Sequence, residues 1–420
     1  MKDKFLQIFR KIYHLKDKIA FFPTIISIAG ALFAYLMMFA ENKGISKYLV
    51  DFLPGLVINN IETARVILSS FIGGLISIMV FSFSMVMILL NQASSNFSPR
   101  LLPGLISNRK HQIILGIYLA TILYCIFILV FIEPTGSKYQ VPGFSVLLSI
   151  VFMVCSLGAF IYFIHSISQE IQIEFIMNRI GTKAKKKLEK LLELEENEEF
   201  EFSDSSNWKS FKVKETNYFQ DVSLNILKKV ALDNDCKLHV ISKKGSLCFK
   251  DEILFKTEKD LDEKTIEKIY KAFDFSNEEF IEDNYLIAFK HLKEIALKAM
   301  SPGINDPGTA SYAIDYLHEL FKLRIQKQEN DFIFHENNCI ILLDIITFKD
   351  LIYKVMASLR NYTKHDVIIV KKLLQFLKDL KNYTSDKEKL QIIDTEIENL
   401  LKDAKSSISN NYDYDKLSEI

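Results

Sequence analysis

The sequence predicts a mainly α-helical membrane protein: a four-helix transmembrane domain at the N-terminus, then a cytoplasmic α+β segment and C-terminal helical hairpins. Three observations predict this fold class. Four long apolar runs lie within the first 165 residues, charged residues crowd the remainder, and the C-terminal third twice shows helix, turn and helix. Each apolar run reaches the roughly 20 residues needed to cross about 30 Å of hydrocarbon.

Composition narrows the class of protein further. Lys+Arg and Asp+Glu both number 52, so the net charge is zero and nucleic acid is not an expected partner. The five cysteines show no ligand spacing, which indicates reduced thiols with neither a disulfide framework nor a metal site. No cofactor is expected.

The apolar runs define the predicted transmembrane domain, residues 19–166, which follows a basic cytoplasmic N-terminus at 1–18. The first run is too long for a cleavable signal peptide, and no small-residue cleavage site follows it. No Asp, Glu, Lys or Arg lies at the centre of any run, which disfavours proton relays, voltage sensors and ion-coupled carriers. The four predicted spans are 19–40, about 64–90, 113–132 and about 144–164.

Basic residues predict the orientation of the spans. They concentrate before the first span, between the second and third, and after the fourth at 183–187. By the positive-inside rule both termini are then cytoplasmic. In the loop between the second and third spans, Arg100, Arg109 and Lys110 are predicted to face anionic headgroups at the membrane surface.

The second span carries a stripe of small and polar residues on one helical face: Ser70, Gly73, Ser77, Ser84 and Asn91. One interpretation is close packing of helices through a small-xxx-small ridge. The other is a polar wall that lines a pore or ligand path. The helix is predicted to continue to Asn96, which makes it longer than the hydrocarbon core is thick.

The fourth span is also predicted to continue beyond the bilayer, through a juxtamembrane helical linker at 167–196. Apolar residues keep helical spacing there, Gly181 is the expected end of the helix, and a charged helix follows. A continuous helix of this kind is either a mechanical link for gating or sensing, or plain attachment of the soluble part.

Three segments follow the linker. Residues 197–283 predict a small α+β domain that begins with an acidic, serine-rich linker at 197–210. Residues 284–402 predict helical hairpins, and 403–420 a flexible tail. The helix predicted within the α+β domain is "VSLNILKKVAL", and its strands are "CKLHVI", "LCF" and "ILF".

The first hairpin turns at "SPGINDPGTA", where Asp306 is predicted to cap the second helix and Pro307 to occupy its first position. Sixty residues later the pattern recurs with Asp366 as the cap, although two copies are too few to establish a repeat. Capping explains most of the turn but not Asn305. The alternative to a structural corner is contact with a ligand or partner through Ser301, Asn305, Asp306 and Thr309.

Two long motifs carry a resemblance to a known family. "ALKAMSPGINDPGTA", and "ASSNFSPRLL" with its following "GIYLATILYCIFIL", resemble bacterial predicted membrane proteins of domain of unknown function family 2254. The resemblance implies a multi-pass protein of the bacterial inner membrane with four spans and a cytosolic C-terminal domain. It implies no established activity, so no catalytic residue is carried over. His365-Asp366 stands where family members tend to have an acidic pair.

Two functions remain open. The sequence contains no G-x-S-x-G, HExxH, Walker or dinucleotide motif, so an enzyme is not expected. The first hypothesis is an oligomeric channel or transport protein whose second span lines the path and whose cytoplasmic part assembles or gates it. The alternative is a non-transporting sensor or scaffold whose cytoplasmic domain binds a partner or small ligand. Expected partners are the lipid bilayer, further copies of the chain, and an unidentified ion or small ligand.

Overall fold

A computed structural model of the chain divides it into two compact units, an N-terminal one made of Met1–Ser95 and Leu101–Gln172 and a C-terminal one made of Ile173–Ile420 with Asn96–Arg100. The structure describes residues 20–46, 58, 60–96, 109–132, 142–170, 172–193, 202–275, 284–335 and 338–420. The basic N-terminus at 1–18, most of the loop that contains Arg100, and residues 276–283 therefore lie outside the described residues.

In the described part of the N-terminal unit, four helices are long and apolar enough to cross a membrane, as predicted. The second is the longest, with 36 residues, and it continues to Asn96 as its sequence predicts. The third has the highest mean hydropathy, 2.8, and the largest buried share. The helices are α1 (Phe21–Asn42), α2 (Ile61–Asn96), α3 (Arg109–Phe131) and α4 (Gly143–Glu170).

Glycines allow α1 and α3 to pack closely within this unit. A Cβ placed on Gly30 would lie 2.6 Å from the Cβ of Ala120, and one on Gly116 would lie 2.8 Å from Cδ1 of Ile26. Backbones approach this closely only where one partner lacks a side chain, which is the usual reason for small residues between membrane helices.

The prediction of one continuous helix through the fourth span and linker is wrong. Helix α4 ends at Glu170, and α5 (Ile173–Glu193) begins three residues later in the C-terminal unit. Gly181 does not end a helix but lies inside α5, where a Cβ would come within 2.6 Å of the Tyr316 ring. Its role is close approach of two helices, which the linear pattern does not reveal.

Two antiparallel-rich sheets and short helices form the first half of the C-terminal unit. The strands predicted at "CKLHVI", "LCF" and "ILF" and the helix predicted at "VSLNILKKVAL" are present as β3, β4, β5 and α6. Their core contains Phe219, Leu227, Leu254 and Phe255, all at most 1% exposed. The elements are β1 (Lys209–Lys212), β2 (Asn217–Val222), α6 (Leu224–Asp233), β3 (Leu238–Val240), β4 (Leu247–Cys248), β5 (Ile253–Thr257), α7 (Glu263–Tyr270) and β6 (Phe273–Phe275).

The predicted boundary at 284 does not separate the sheet from the helices. A hairpin of β7 (Asn330–His335) and β8 (Asn338–Asp344) lies in the region predicted to be helical, and β8 pairs in parallel with β3. The five-stranded sheet therefore has the order β1-β5-β3-β8-β7, beside a three-stranded sheet β4-β2-β6. Strand β1 likewise begins inside the stretch predicted to be a linker at 197–210.

Two helical hairpins follow the predicted plan. Helices α8 (Leu286–Ala299) and α9 (Pro307–Arg324) form the first, and α10 (Phe348–Thr363) and α11 (Val367–Leu380) form the second. Asp306 and Asp366 cap the second helix of each hairpin, accepting hydrogen bonds from the amides of Thr309 and Ile369.

The C-terminal tail is ordered, which corrects the prediction of a flexible segment at 403–420. Helix α12 (Lys387–Lys405) continues past residue 403, and α13 (Asn411–Ser418) follows with Leu417 buried. The buried pair of Arg360 and Glu396, 2.6 Å apart, joins α12 to α10. Burial raises the pKa of Glu396, and the nearby Arg360 guanidinium opposes that rise.

Candidate functional site

The predicted stripe on α2 faces away from the other helices of its own unit. Ser70, Gly73, Ser77, Ser84 and Asn91 are all exposed. The buried residues of α2 lie on other faces: Ala64, Leu68, Leu75, Ser82, Leu89 and Leu90. A path inside a single four-helix unit therefore does not include the stripe.

Two serine hydroxyls of the stripe donate their hydrogen bonds within α2 itself. The hydroxyl of Ser77 donates to the carbonyl of Gly73 at 3.0 Å, and that of Ser84 donates to the carbonyl of Val80 at 2.9 Å. Such back-bonding satisfies the donor inside the helix and leaves the oxygen able to accept. From Ser70 to Asn91 the stripe rises about 32 Å, close to the thickness of the hydrocarbon core.

At Gly73 the small-residue ridge is not covered by another helix among the described residues. No atom lies within 4 Å of a Cβ placed on Gly73, whereas Gly30 and Gly116 are in close contact at the crossing of α1 and α3. If the stripe on α2 packs against a helix, that helix therefore belongs to another chain.

A carboxylate joins the ends of α1 and α4, an arrangement that sequence reasoning missed. Glu41 accepts hydrogen bonds from the Ser145 amide at 2.9 Å and the Ser145 hydroxyl at 2.8 Å. It also accepts from the hydroxyl of Ser46 at 2.6 Å. A negative charge at the N-terminus of α4 is favourable because the first amides of a helix are free donors.

Two of the three predicted basic residues at the membrane surface begin α3. Arg109 and Lys110 are exposed, and the Arg109 guanidinium lies 4.6 Å from the centroid of the Phe22 ring. Arg100 lies outside the described residues. Contact of these cations with headgroups stays a prediction.

The turn between α8 and α9 is a capped corner. Asp306 Oδ1 accepts from the Thr309 amide at 3.0 Å, and the Ser301 hydroxyl donates to the Lys298 carbonyl at 2.7 Å. Interaction with Thr309 lowers the pKa of the Asp306 carboxyl. Asn305 has φ of 50°, a left-handed conformation that asparagine tolerates better than most residues. Backbone geometry thus explains the one residue that capping left unexplained.

Asp306→Ala is expected to lower the free energy of unfolding of the C-terminal unit by about 1 kcal/mol, the usual contribution of a helix cap. Because the folded pKa of Asp306 is lowered, this contribution is present at neutral pH and is lost as the pH falls through that pKa. Denaturant unfolding followed by fluorescence of Trp208, the single tryptophan, measures the change. Asp366→Ala is the matched control, since it removes the equivalent cap. A loss far above that of the control would contradict the corner interpretation.

Ser205, His239 and Asp344 form a hydrogen-bonded chain on the five-stranded sheet. The Ser205 hydroxyl lies 2.7 Å from Nδ1 of His239, and Nε2 of His239 lies 2.9 Å from Asp344 Oδ1. The order of groups resembles a serine nucleophile, its base and an orienting carboxylate. No linear motif reveals this row of hydrogen bonds, because the three residues come from distant segments of the sequence.

The surroundings of this chain favour a structural role. Acyl transfer needs donors aimed at the developing oxyanion, and the adjacent Ser206 amide already donates to the carboxylate of Asp204 at 2.9 Å. Phe202 packs against Trp208 and the His239 ring. The hydrogen bonds among Ser205, His239 and Asp344 therefore hold residues 202–208 against the sheet.

A groove lies between α9 and α11 in the described part of the C-terminal unit, and it is called the α9–α11 groove below. Its volume is 440 Å³. Ile314 and Phe376, both buried, form its floor, and Ile368 lies on its wall with 70% of its surface exposed. It is thus open, with apolar surface inside.

Ion pairs across the α9–α11 groove show that its two helices run parallel. Lys372 lies 2.7 Å from Asp315, and Asp379, seven positions further along α11, lies 3.0 Å from Lys322, seven further along α9. His318 Nε2 lies 2.8 Å from Asp379 Oδ2. Burial and the Lys322 charge lower the pKa of His318.

Metal chemistry has no obvious site in the described part of the chain. No group of three His, Cys, Asp or Glu side chains there could hold a metal ion. The five cysteines are free thiols, and four of them are buried.

Comparisons with known proteins agree with the membrane character. The family described as "Predicted membrane protein (DUF2254)" matches residues 16–379. An uncharacterized protein of Mycobacterium bovis and one of Mycobacterium tuberculosis H37Rv are each 20% identical to the chain over 357 residues, 79% of the chain. The match spans 66% of the length of these curated relatives. No solved structure matches the chain.

Proposed function

Because the chain belongs to the DUF2254 family of predicted membrane proteins, we propose that it is an oligomeric channel or transport protein, in which several copies place the α2 stripe around a shared path. The C-terminal unit assembles or gates this path. No catalytic step is part of the proposal.

One observation carries the proposal: the polar stripe is exposed along a length of α2 that matches the hydrocarbon core. In a single chain it would face lipid, which gains nothing from exposed hydroxyls or the Asn91 amide. Copies related by rotation about the membrane normal would bring the stripes together, and closed rotational symmetry is the common form of homo-oligomers. The oxygen atoms of Ser77 and Ser84 would then be available to accept hydrogen bonds from water or to coordinate a passing cation.

The basic flanks support a location in the bacterial inner membrane with both termini in the cytoplasm. In this orientation Arg109 and Lys110 lie at the cytoplasmic surface, and the C-terminal unit is cytoplasmic. Cysteine labelling tests the orientation: a reporter cysteine at exposed residue 250 is expected to resist an impermeant thiol reagent added to intact cells. Labelling from outside would contradict it.

The alternative is a non-transporting sensor or scaffold. The α9–α11 groove favours it, because a cavity with an apolar floor and charged walls is suited to a small ligand whether or not anything crosses the membrane. The two proposals differ in what the N-terminal unit does.

The oligomeric state of the purified full-length protein tests the channel directly. A uniform homo-oligomer is expected by native mass spectrometry in a gentle detergent and in lipid nanodiscs. A single four-helix unit with its polar stripe on the outside does not enclose a pore. A monomer under both conditions would therefore exclude the channel and leave the alternative.

A further inference from the structure

We propose that the α9–α11 groove binds a small organic anion, with a phosphate or carboxylate beside Lys371 and an apolar or planar part against Ile368. The inference adds a ligand to the C-terminal unit and does not depend on conduction by the N-terminal unit.

Charge in the groove favours an anion. Its two carboxylates already have cationic partners, Asp315 with Lys372 at 2.7 Å and Asp379 with Lys322 at 3.0 Å. Lys371 also lines the groove, and it has no ion pair among the described residues. One uncompensated ammonium group therefore stands on the wall of a cavity whose other charges are paired.

Polar groups lie near the start of both helices that form the groove. Lys371 lies one turn from the start of α11 at Val367, and Ser311 lies one turn from the start of α9 at Pro307. The capping carboxylates of Asp306 and Asp366 offset the positive ends of the two macrodipoles, so the preference for an anion rests on Lys371. Ser311 and Gln375 add hydrogen-bonding groups along the walls.

The size and floor of the groove favour an organic rather than a bare anion. Its 440 Å³ falls within the range of about 300–1,000 Å³ typical of small-molecule sites. Ile314 and Phe376 line the bottom of the groove but are at most 1% exposed, so Ile368, which leaves 70% of its surface uncovered, supplies the apolar surface that a ligand would cover. A ligand that covers Ile368 would remove apolar surface from water, which a phosphate ion alone does not do.

The groove also lies where a ligand could influence α5. Helix α9 forms one wall of the groove, and Tyr316 on the same helix contacts Gly181 of α5. Lys185 of α5 lies 3.6 Å from Glu319 of α9. A displacement of α9 would therefore act on α5 within the C-terminal unit.

Equilibrium dialysis of the full-length protein in an uncharged detergent tests the site, with adenosine monophosphate as the probe. Saturable binding is expected, with displacement by millimolar inorganic phosphate but not by adenosine, which lacks the charge. Lys371→Glu is expected to weaken binding by about tenfold or more, the usual effect of losing a charge-assisted contact. Lys378→Glu is the matched control, because Lys378 is an exposed lysine of α11 outside the groove lining and should leave binding unchanged.

Several outcomes would overturn the inference: no saturable binding of adenosine monophosphate, equal binding of adenosine, or equal losses in the two lysine variants. Trp208 fluorescence unfolding shows whether Lys371→Glu is folded, and Lys371→Gln provides a second variant that removes the charge without reversing it. A monomeric protein that still binds the probe through Lys371 would exclude the channel and leave this inference standing.

Discussion

Ser77→Leu is expected to reduce ion flux through liposomes reconstituted with the protein to the level of protein-free vesicles. Ser77 lies in the middle of the exposed stripe, one turn from Gly73, where no atom would lie within 4 Å of an added Cβ. If copies meet along this face, leucine at 77 fills the space that the small residues keep open and removes an oxygen from the wall of the path. Asn91→Leu is expected to have the same effect at the end of the stripe.

Two control variants show what causes a loss of flux. Val154→Leu enlarges an exposed residue of α4, 62% exposed, and should leave flux unchanged because its face of the bundle is not part of the stripe. Ser77→Ala keeps the residue small, so it should preserve assembly and most of the flux. The hydroxyl that it removes already donates to Gly73 within the helix.

The oligomeric state of Ser77→Leu then distinguishes lining from packing. An intact oligomer without flux places Ser77 in the wall of the path, whereas dissociation to monomers shows that the ridge holds copies together. Wild-type protein that supports no flux under any cation or anion gradient would contradict the channel and favour the sensor or scaffold.

Local signals predicted much of the fold. Apolar length identified the four candidate spans, and an aspartate before a run of helix formers identified the caps at Asp306 and Asp366, because both signals act within a few residues of the element. The stripe on α2 was also visible as spacing. The sequence did not show that the stripe faces away from the other helices, because exposure on α2 depends on where those helices pack.

The remaining features depend on distant parts of the chain. Strand β8 pairs with β3, a hundred residues earlier. Because its pairing partner is so distant, its own sequence did not distinguish it from the helical region predicted around it. Gly181 is required by the ring of Tyr316, and Asn305 by a left-handed turn. The α9–α11 groove needs two helices sixty residues apart, and no spacing within one segment could indicate it.

Arg324→Ala is expected to destabilise the C-terminal unit by about 2–3 kcal/mol, less than for a fully buried ion pair, because the remaining carboxylate of Glu329 is 38% exposed and lies 3.8 Å from Lys389. The side chain of Arg324 is fully buried. Its guanidinium donates to the Ile346 carbonyl at 2.9 Å and to both carboxylate oxygens of Glu329 at 3.2 and 3.3 Å. Alanine would leave a cavity and a carbonyl without its donor at the junction of α9, β8 and α10.

The same arginine acts through Glu329 on the start of the second hairpin. Glu329 also accepts from the Phe348 amide at 2.8 Å, the first residue of α10, so loss of the guanidinium frees a carboxylate that positions this helix. Arg324→Lys should recover little of the loss, because a single ammonium group cannot reproduce the planar two-point contact.

Denaturant unfolding monitored at Trp208 isolates this effect, since the single tryptophan lies in the C-terminal unit. Lys185→Ala is the matched control: it breaks a pair with Glu319 in which both side chains are about half exposed, and it should change the free energy of unfolding by less than about 1 kcal/mol. If Arg324→Ala is no more destabilising than this control, the buried guanidinium is not what joins the first hairpin to the second. The parallel arrangement of α9 and α11, and with it the groove, would then have to depend on the apolar contacts of Phe321 with Phe348 and Phe376.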